Sequence, residues 1–417
     1  MKRIKKIIQQ KEFLKYFIVF FSGTLIAQLI NILISPMLTR IYSPEEYGIY
    51  GSYIALISLL LVFVTGRYEF SINTAENDTE AKTIFVIIRR LAVFISGLFL
   101  IIFFFFGNLI KQYAVFQFPD NILLLVPITL LLMGILLSST YALNRYKNFN
   151  SLSKSKVLQS TGNASSSLTL GYLNFGVIGL VLGNIIGLIV SNLYQSVIIS
   201  RKKEFRKKHK NILKTMKKYK EYPLYNMPSA FFDSLSMQGP ILILLHFFTE
   251  SVVGFYSLTT RIVGLPLTLI STSVSQVFLS QISELKRENK SYKKIVIKVA
   301  RYLAIIGIVP VVILGVFGPR MFSFIFGSEW YVAGEYAQLL IIGYYFKFVV
   351  SPLSVIFFIN KRVKILSVIQ TCRAFSTIAI LIVLALFVDI ETLLLVYSLH
   401  EAVFYLIYFY FILKTSK

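Results

Sequence analysis

The chain has 417 residues, 56% of them hydrophobic and only 15% charged, with a formal net charge of +24. That balance excludes an ordinary soluble globule, and the basic residues sit between long apolar runs, which argues against nucleic acid as a partner. The single cysteine, Cys372, excludes an internal disulfide framework and any cysteine-based metal site.

Apolar runs of about 20 residues recur along the whole length, each long enough to cross ~30 Å of hydrocarbon. Lipid requires internally satisfied backbone groups, so spans are helices or a closed barrel. Barrel strands are short and alternate in hydrophobicity. These runs are long and continuous, so the fold class is an all-α polytopic membrane protein. The basic start, Met1 to Lys15, precedes a run longer than a signal-peptide core and reads as a retained first span.

Twelve spans are predicted, at roughly 16–38, 47–66, 84–106, 122–143, 157–173, 177–199, 228–248, 252–279, 296–318, 336–358, 365–387 and 391–413. The fifth has a polar side: Gln159 to Asn163 and Ser165 to Ser167. Two readings stand for it, a helix lining a wet interior or a small-residue packing face. With twelve spans, 37 of the 43 Lys and Arg fall on the side of the termini and 3 on the other. This bias predicts both termini in the cytoplasm. The remaining 3 lie inside spans. The basic run Arg201 to Lys220 falls midway. It divides the chain into an N-terminal six-helix bundle (1–200), a cytoplasmic linker (201–221) and a C-terminal six-helix bundle (222–417). The one tryptophan, Trp330, lies in the longest outer connection and is expected to act as an interfacial anchor.

The halves repeat. At an offset of 206, Ile41-Tyr42-Ser43 meets Phe247-Phe248-Thr249, and Tyr47-Gly48-Ile49-Tyr50 meets Val253-Gly254-Phe255-Tyr256. An even number of spans per half makes the repeats parallel. Such a plan implies a site between transport halves and alternating access.

Charges inside spans mark function, because a charge at the bilayer centre costs about 2.5–3.5 kcal/mol on insertion scales. The second half carries Asp233, Arg261, Lys347, Arg373 and Glu401. Arg261, Lys347 and Arg373 suggest a cationic cavity that accepts an anion. Asp233 and Glu401 suit buried ion pairs or proton coupling. In the first half, Arg67 and Glu69 lie at the cytoplasmic end of the second span, where a helix-end role competes with a part in the cavity. Pro266, five residues after Arg261, permits a bend that aims the guanidinium. His209, His246 and His400 show no metal spacing. No hydrolase, nucleotide or metal-protease motif is present, so transport rather than catalysis is expected, without a cofactor.

The run YPLYNMPSAFFDSLSMQGPILIL, from Tyr222, and the run VVGFYSLTTRIVGLPLTLISTSVSQVF, from Val252, resemble Wzx-type polysaccharide flippases. These share a superfamily with the MATE exporters and the lipid II flippase. ISPMLTRIYSPEEYGIYGSY and RYEFSI look like the same family's first two spans. The resemblance implies a MATE-like fold of about twelve helices in two six-helix bundles around a cationic cavity. It implies transfer of an undecaprenyl-diphosphate-linked oligosaccharide to the outer leaflet of a bacterial inner membrane, for O-antigen, capsule or exopolysaccharide synthesis. A polymerase and a chain-length regulator of the same pathway would be further partners. By that resemblance Arg261, Lys347 and Arg373 are candidates for the pyrophosphate and acidic sugars; Arg67 as a further cavity candidate, and Asp233, Glu401 and Glu69 as coupling or ion-pair candidates, rest on the cost and position of their charges. The motif itself covers only Arg261 among the three span cations; Lys347 and Arg373 rest on the cost of burying charge. The rival readings are a MATE-like gradient-driven antiporter and, in another class, a membrane polysaccharide polymerase.

Overall fold

The computed structural model describes residues 21–113, 119–202, 211–287, 290–360 and 362–416. The basic N-terminal segment 1–15, the first residues of the first span and linker residues 203–210 lie outside the described residues. The elements are α1 (Phe21–Leu38), α2 (Pro44–Thr65), α3 (Glu69–Thr74), α4 (Asp78–Tyr113), α5 (Asp120–Arg145), α6 (Phe149–Tyr172), α7 (Val177–Ser200) and α8 (Ile212–Lys218). A π-helical turn (Tyr222–Asn226) leads into α9 (Met227–Phe247), followed by α10 (Glu250–Arg287), α11 (Lys293–Phe326), α12 (Tyr331–Val350), α13 (Val355–Ile359), α14 (Val363–Phe387) and α15 (Ile390–Thr415). Eleven helices among the described residues are long and apolar enough to cross a membrane. The predicted fifth span, α6, is the twelfth long helix and is too polar to join them.

Local chemistry sets the helix ends. Ser43 and Glu46 form a reciprocal capping box at α2: the Ser43 N–H donates to Glu46 Oε2 at 2.9 Å and the Glu46 N–H to Ser43 Oγ at 3.3 Å. Pro44 supplies a first helical residue that needs no N–H partner. Asp389 caps α15 by accepting from the Thr392 N–H at 3.1 Å. Those bonds hold the Asp389 carboxyl below its ordinary range. Gly327, at φ 112°, ends α11 in a conformation that favours glycine. Pro352 lies in a 3-10 turn (Ser351–Ser354) that breaks the tenth predicted span between α12 and α13.

The chain forms two compact units. The first holds the described residues of Met1–Tyr42 and Tyr53–Phe231; the second holds Ser43–Ser52 and Phe232–Lys417. In the first, Tyr68, Ile72, Ile84, Ile88, Leu143 and Leu152 form a core. The connecting helix α8 docks on this unit. Lys218 Nζ pairs with Glu76 at 2.8 Å and Glu80 at 2.9 Å, and Tyr219 donates to Glu80 at 3.1 Å. The carboxylates of Glu76 and Glu80 raise the Lys218 ammonium above its ordinary range. The polar side of α6 is largely a packing face. Ser155, Ser160 and Ser167 are buried, and a Cβ on Gly183 of α7 would come within 2.1 Å of Ser167 Oγ. The Ser155 and Ser191 hydroxyls meet at 2.6 Å, and Gln195 Nε2 donates to Ser155 at 2.8 Å.

The second unit packs around Phe278, Phe348, Leu353, Phe357, Tyr405 and Tyr408. Phe357 and Tyr408 stack at 5.5 Å between ring centroids. Trp330 departs from the sequence expectation. It is 0% exposed and meets Tyr47, at 5.0 Å, and Phe255, at 5.8 Å, edge to face. The 3-10 turn at Ser328–Trp330 folds the indole inward, so it fills a core rather than anchoring at an interface. Elsewhere large apolar side chains face outward, such as Phe94, Phe104 and Phe105 on α4 and Ile305, Val309, Val312 and Val316 on α11. In water such surfaces would be a liability; in lipid they are the solvent-matched face.

Candidate functional site

Five helices of the second unit, with Ser351, line an open cavity of about 320 Å³. α10 supplies more of the wall than any other helix. Tyr256, Thr260, Gly264, Leu267 and Ser271 line it and recur at the spacing of one helix face. Gly264 faces the Tyr344 ring; a Cβ there would sit 3.7 Å from Tyr344 Cε1, an ordinary contact distance.

Arg261 from α10, Lys347 from α12 and Arg373 from α14 all line this cavity. They are the three cations of the chain that fall well inside predicted spans, away from the span ends. Among the described residues, no Asp or Glu lines it. Arg261 and Lys347 have no hydrogen-bond or ion-pair partner among the described residues. Lys347 Nζ lies 5.7 Å from the Tyr344 ring centroid and is within electrostatic reach of Arg373, Glu401 and Asp233. Arg373 is committed on one edge: its Nε donates to Glu401 Oε1 at 2.9 Å, and its Cζ lies 5.4 Å from the Tyr405 ring centroid. A second, smaller cavity of about 30 Å³ holds Glu401, with Ser398 and Leu340, and shares Tyr344, Lys347 and Tyr397 with the first.

The other sequence candidates lie elsewhere. Asp233 is exposed on α9, has no ion pair among the described residues, and lines neither cavity. Arg67 and Glu69 belong to the first unit. They pair with each other at 3.5 Å, and Arg67 lies over Phe70 at 5.0 Å. Arg67 adopts φ 59° in the turn between α2 and α3, so this pair shapes a helix junction. His400 Nε2 lies 3.0 Å from Ser376 Oγ and packs on Phe404 at 5.0 Å. It points away from Glu401's cavity, as neighbouring helix positions do.

Sequence reasoning missed the uncharged lining: Tyr256, Tyr344 and Tyr397, with Ser236, Gln238 and Thr268. A signal was available. Tyr344 precedes Lys347 by three residues and Tyr397 precedes Glu401 by four, so each shares a helix face with a span charge. The assembled surface combines two guanidinium forks, suited to bidentate oxyanion contacts, one ammonium, and a wall of hydroxyls and aromatic rings.

A profile of the family described as polysaccharide biosynthesis protein matches residues 37–335. No curated protein matches the sequence. Among solved structures, the lipid II flippase MurJ in an inward closed conformation superposes with a TM-score of 0.75 at 16% identity, over 94% of this chain and 87% of that one. A MATE-family multidrug resistance transporter in its inward-facing conformation gives 0.69 at 13% identity, over 92% and 93%. A MOP-superfamily transporter from Pyrococcus furiosus, described by the reverse polarity of its binding pocket, gives 0.64 at 13% identity, over 95% and 93%. The fold is therefore that of MurJ and the MATE transporters, as the sequence predicts, and the chain, an all-helical multi-pass membrane protein, belongs to the polysaccharide biosynthesis protein family.

Proposed function

We propose that this protein flips undecaprenyl-diphosphate-linked oligosaccharide repeat units across a bacterial inner membrane, for O-antigen, capsule or exopolysaccharide synthesis. Both termini face the cytoplasm, as the distribution of Lys and Arg favours. The cavity of the second unit receives the diphosphate, with Arg261, Lys347 and Arg373 as its ligands. The hydroxyl and aromatic wall faces the sugars, while the polyprenyl tail stays in lipid. Alternating access carries the headgroup across.

One observation supports this reading over the rivals: among the described residues, the cavity is lined by three cations and no carboxylate. A diphosphate loses its hydration on leaving water, and preplaced guanidinium groups compensate with charge-assisted hydrogen bonds. An antiporter for small cations needs the opposite polarity. In cells lacking the protein, lipid-linked repeat units should accumulate with their sugars on the cytoplasmic leaflet, read by accessibility to an external sugar-modifying enzyme. Outer-leaflet units left unpolymerised would instead favour a polymerase.

A further inference from the structure

The diphosphate reading leaves one buried acid without a task. Glu401 does not line the main cavity; it lines the side cavity of about 30 Å³ and reaches Arg373 from there. The side chains of Arg373 and Glu401 are 15% and 8% exposed. A guanidinium offers five N–H donors in a planar fork. Glu401 takes the Nε edge at 2.9 Å. The two Nη groups have no partner among the described residues, and Arg373 lines the main cavity. Tyr344, Lys347 and Tyr397 line both spaces and so form the partition. An anion and Glu401 can thus use different edges of one guanidinium.

Charge gives the second argument. Arg261, Lys347 and Arg373 bring three positive charges to the site, and Glu401 removes one. The net of two equals the charge of a diphosphate diester; a monophosphate diester carries one. Asp233, though within electrostatic reach of Lys347, is exposed and lines neither space, so solvent screens it and it is left out of the balance. A transport site must bind well enough to load and weakly enough to unload, and a third uncompensated cation would oppose unloading.

We propose that Glu401 is the positioning and charge-setting residue of this site. It holds the Nη edge of Arg373 toward the cavity and trims the cavity's charge to match a diphosphate diester. This rests on the diphosphate reading given above. The test uses the purified full-length protein and two probes, a short-chain prenyl-diphosphate sugar and the matching prenyl-monophosphate sugar. E401Q keeps an oxygen for Arg373 Nε but removes the charge. It should bind the diphosphate probe roughly tenfold more tightly and the monophosphate about threefold, since the added attraction scales with ligand charge. Transfer of the diphosphate probe should slow. An equal change for both probes, or weaker binding of both, overturns the assignment, because a purely structural role is blind to ligand charge.

If E401Q does not fold, a second pair decides. R373A leaves a buried carboxylate beside the site and should lose the diphosphate probe; R373A/E401Q, relieved of that carboxylate but still without the fork, should recover part of that binding. A double variant no better than R373A overturns the assignment. Failure of the underlying reading looks different. Wild-type protein would bind neither probe, or R261A would bind the diphosphate as well as wild type. Loss of binding in R261A, with the probe ratio unmoved by E401Q, rejects only the role of Glu401.

Discussion

Arg261→Ala should abolish export of the glycan while the protein level and melting temperature stay near wild type. The asymmetry follows from its surroundings. Arg261 has no ion-pair or hydrogen-bond partner among the described residues, so its removal breaks no internal polar contact. What is lost is a bidentate, charge-assisted contact to the anion. At about 1.5–3 kcal/mol per hydrogen bond to a charged group, two such bonds correspond to roughly a hundredfold or more in affinity. Arg261→Lys should fall between the two, since an ammonium keeps the charge and loses the fork. Arg373→Ala is a less clean test of ligand binding. It strands Glu401, and breaking a buried pair typically costs 3–5 kcal/mol. Surface glycan, protein abundance and thermal stability measured together separate these outcomes. Normal glycan in the Arg261→Ala strain would remove that residue from the mechanism.

Gly254→Val should prevent stable folding of the second unit. A Cβ on Gly254 would lie 1.8 Å from the Pro44 carbonyl oxygen and 2.7 Å from its carbon, and one on Gly48 would lie 1.9 Å from the Glu250 oxygen. The obstacles are backbone atoms, which have no alternative rotamer. The crossing is reciprocal: each glycine sits against the first residue of the other's helix, and the four positions obey the same 206-residue offset as the sequence repeat. Ser251 also donates to Glu45 at this crossing. Overpacking of this kind costs about 3 kcal/mol or more. Gly315→Ala is the control, because nothing lies within 4 Å of the Cβ it would add. A Gly254→Val protein melting with wild type would contradict the crossing.

The repeat and the family fold were legible because lipid leaves the backbone few options. Long apolar runs become helices wherever they occur, and the one ambiguous run, α6, was ambiguous for a physical reason. Its polar face mates with α7, Ser167 against Gly183, Asn163 against Gly187 and Ser155 against Ser191, a partnership that no hydropathy window can see. The span charges were legible through their cost: Arg261, Lys347 and Arg373 stood out in lipid-length runs, and the structure gathers them around one cavity. Their partners were not legible. Glu401 meets Arg373 across two helices, whereas Asp233, equally conspicuous in sequence, pairs with nothing among the described residues. Only three-dimensional packing distinguishes them. Trp330 misled for the opposite reason. Its place in an outer connection suggested an interface, but a short 3-10 turn carries the ring into a core.

The central claim is that the cationic cavity of the second unit moves a diphosphate-linked headgroup between leaflets. Its most direct test is leaflet transfer of a prenyl-diphosphate oligosaccharide by purified protein in sealed vesicles, followed by the headgroup's accessibility to an external enzyme. Wild-type protein should transfer the diphosphate-linked probe, and the Arg261→Ala protein should not. Equal transfer by the two proteins, or none by wild type, would contradict the account.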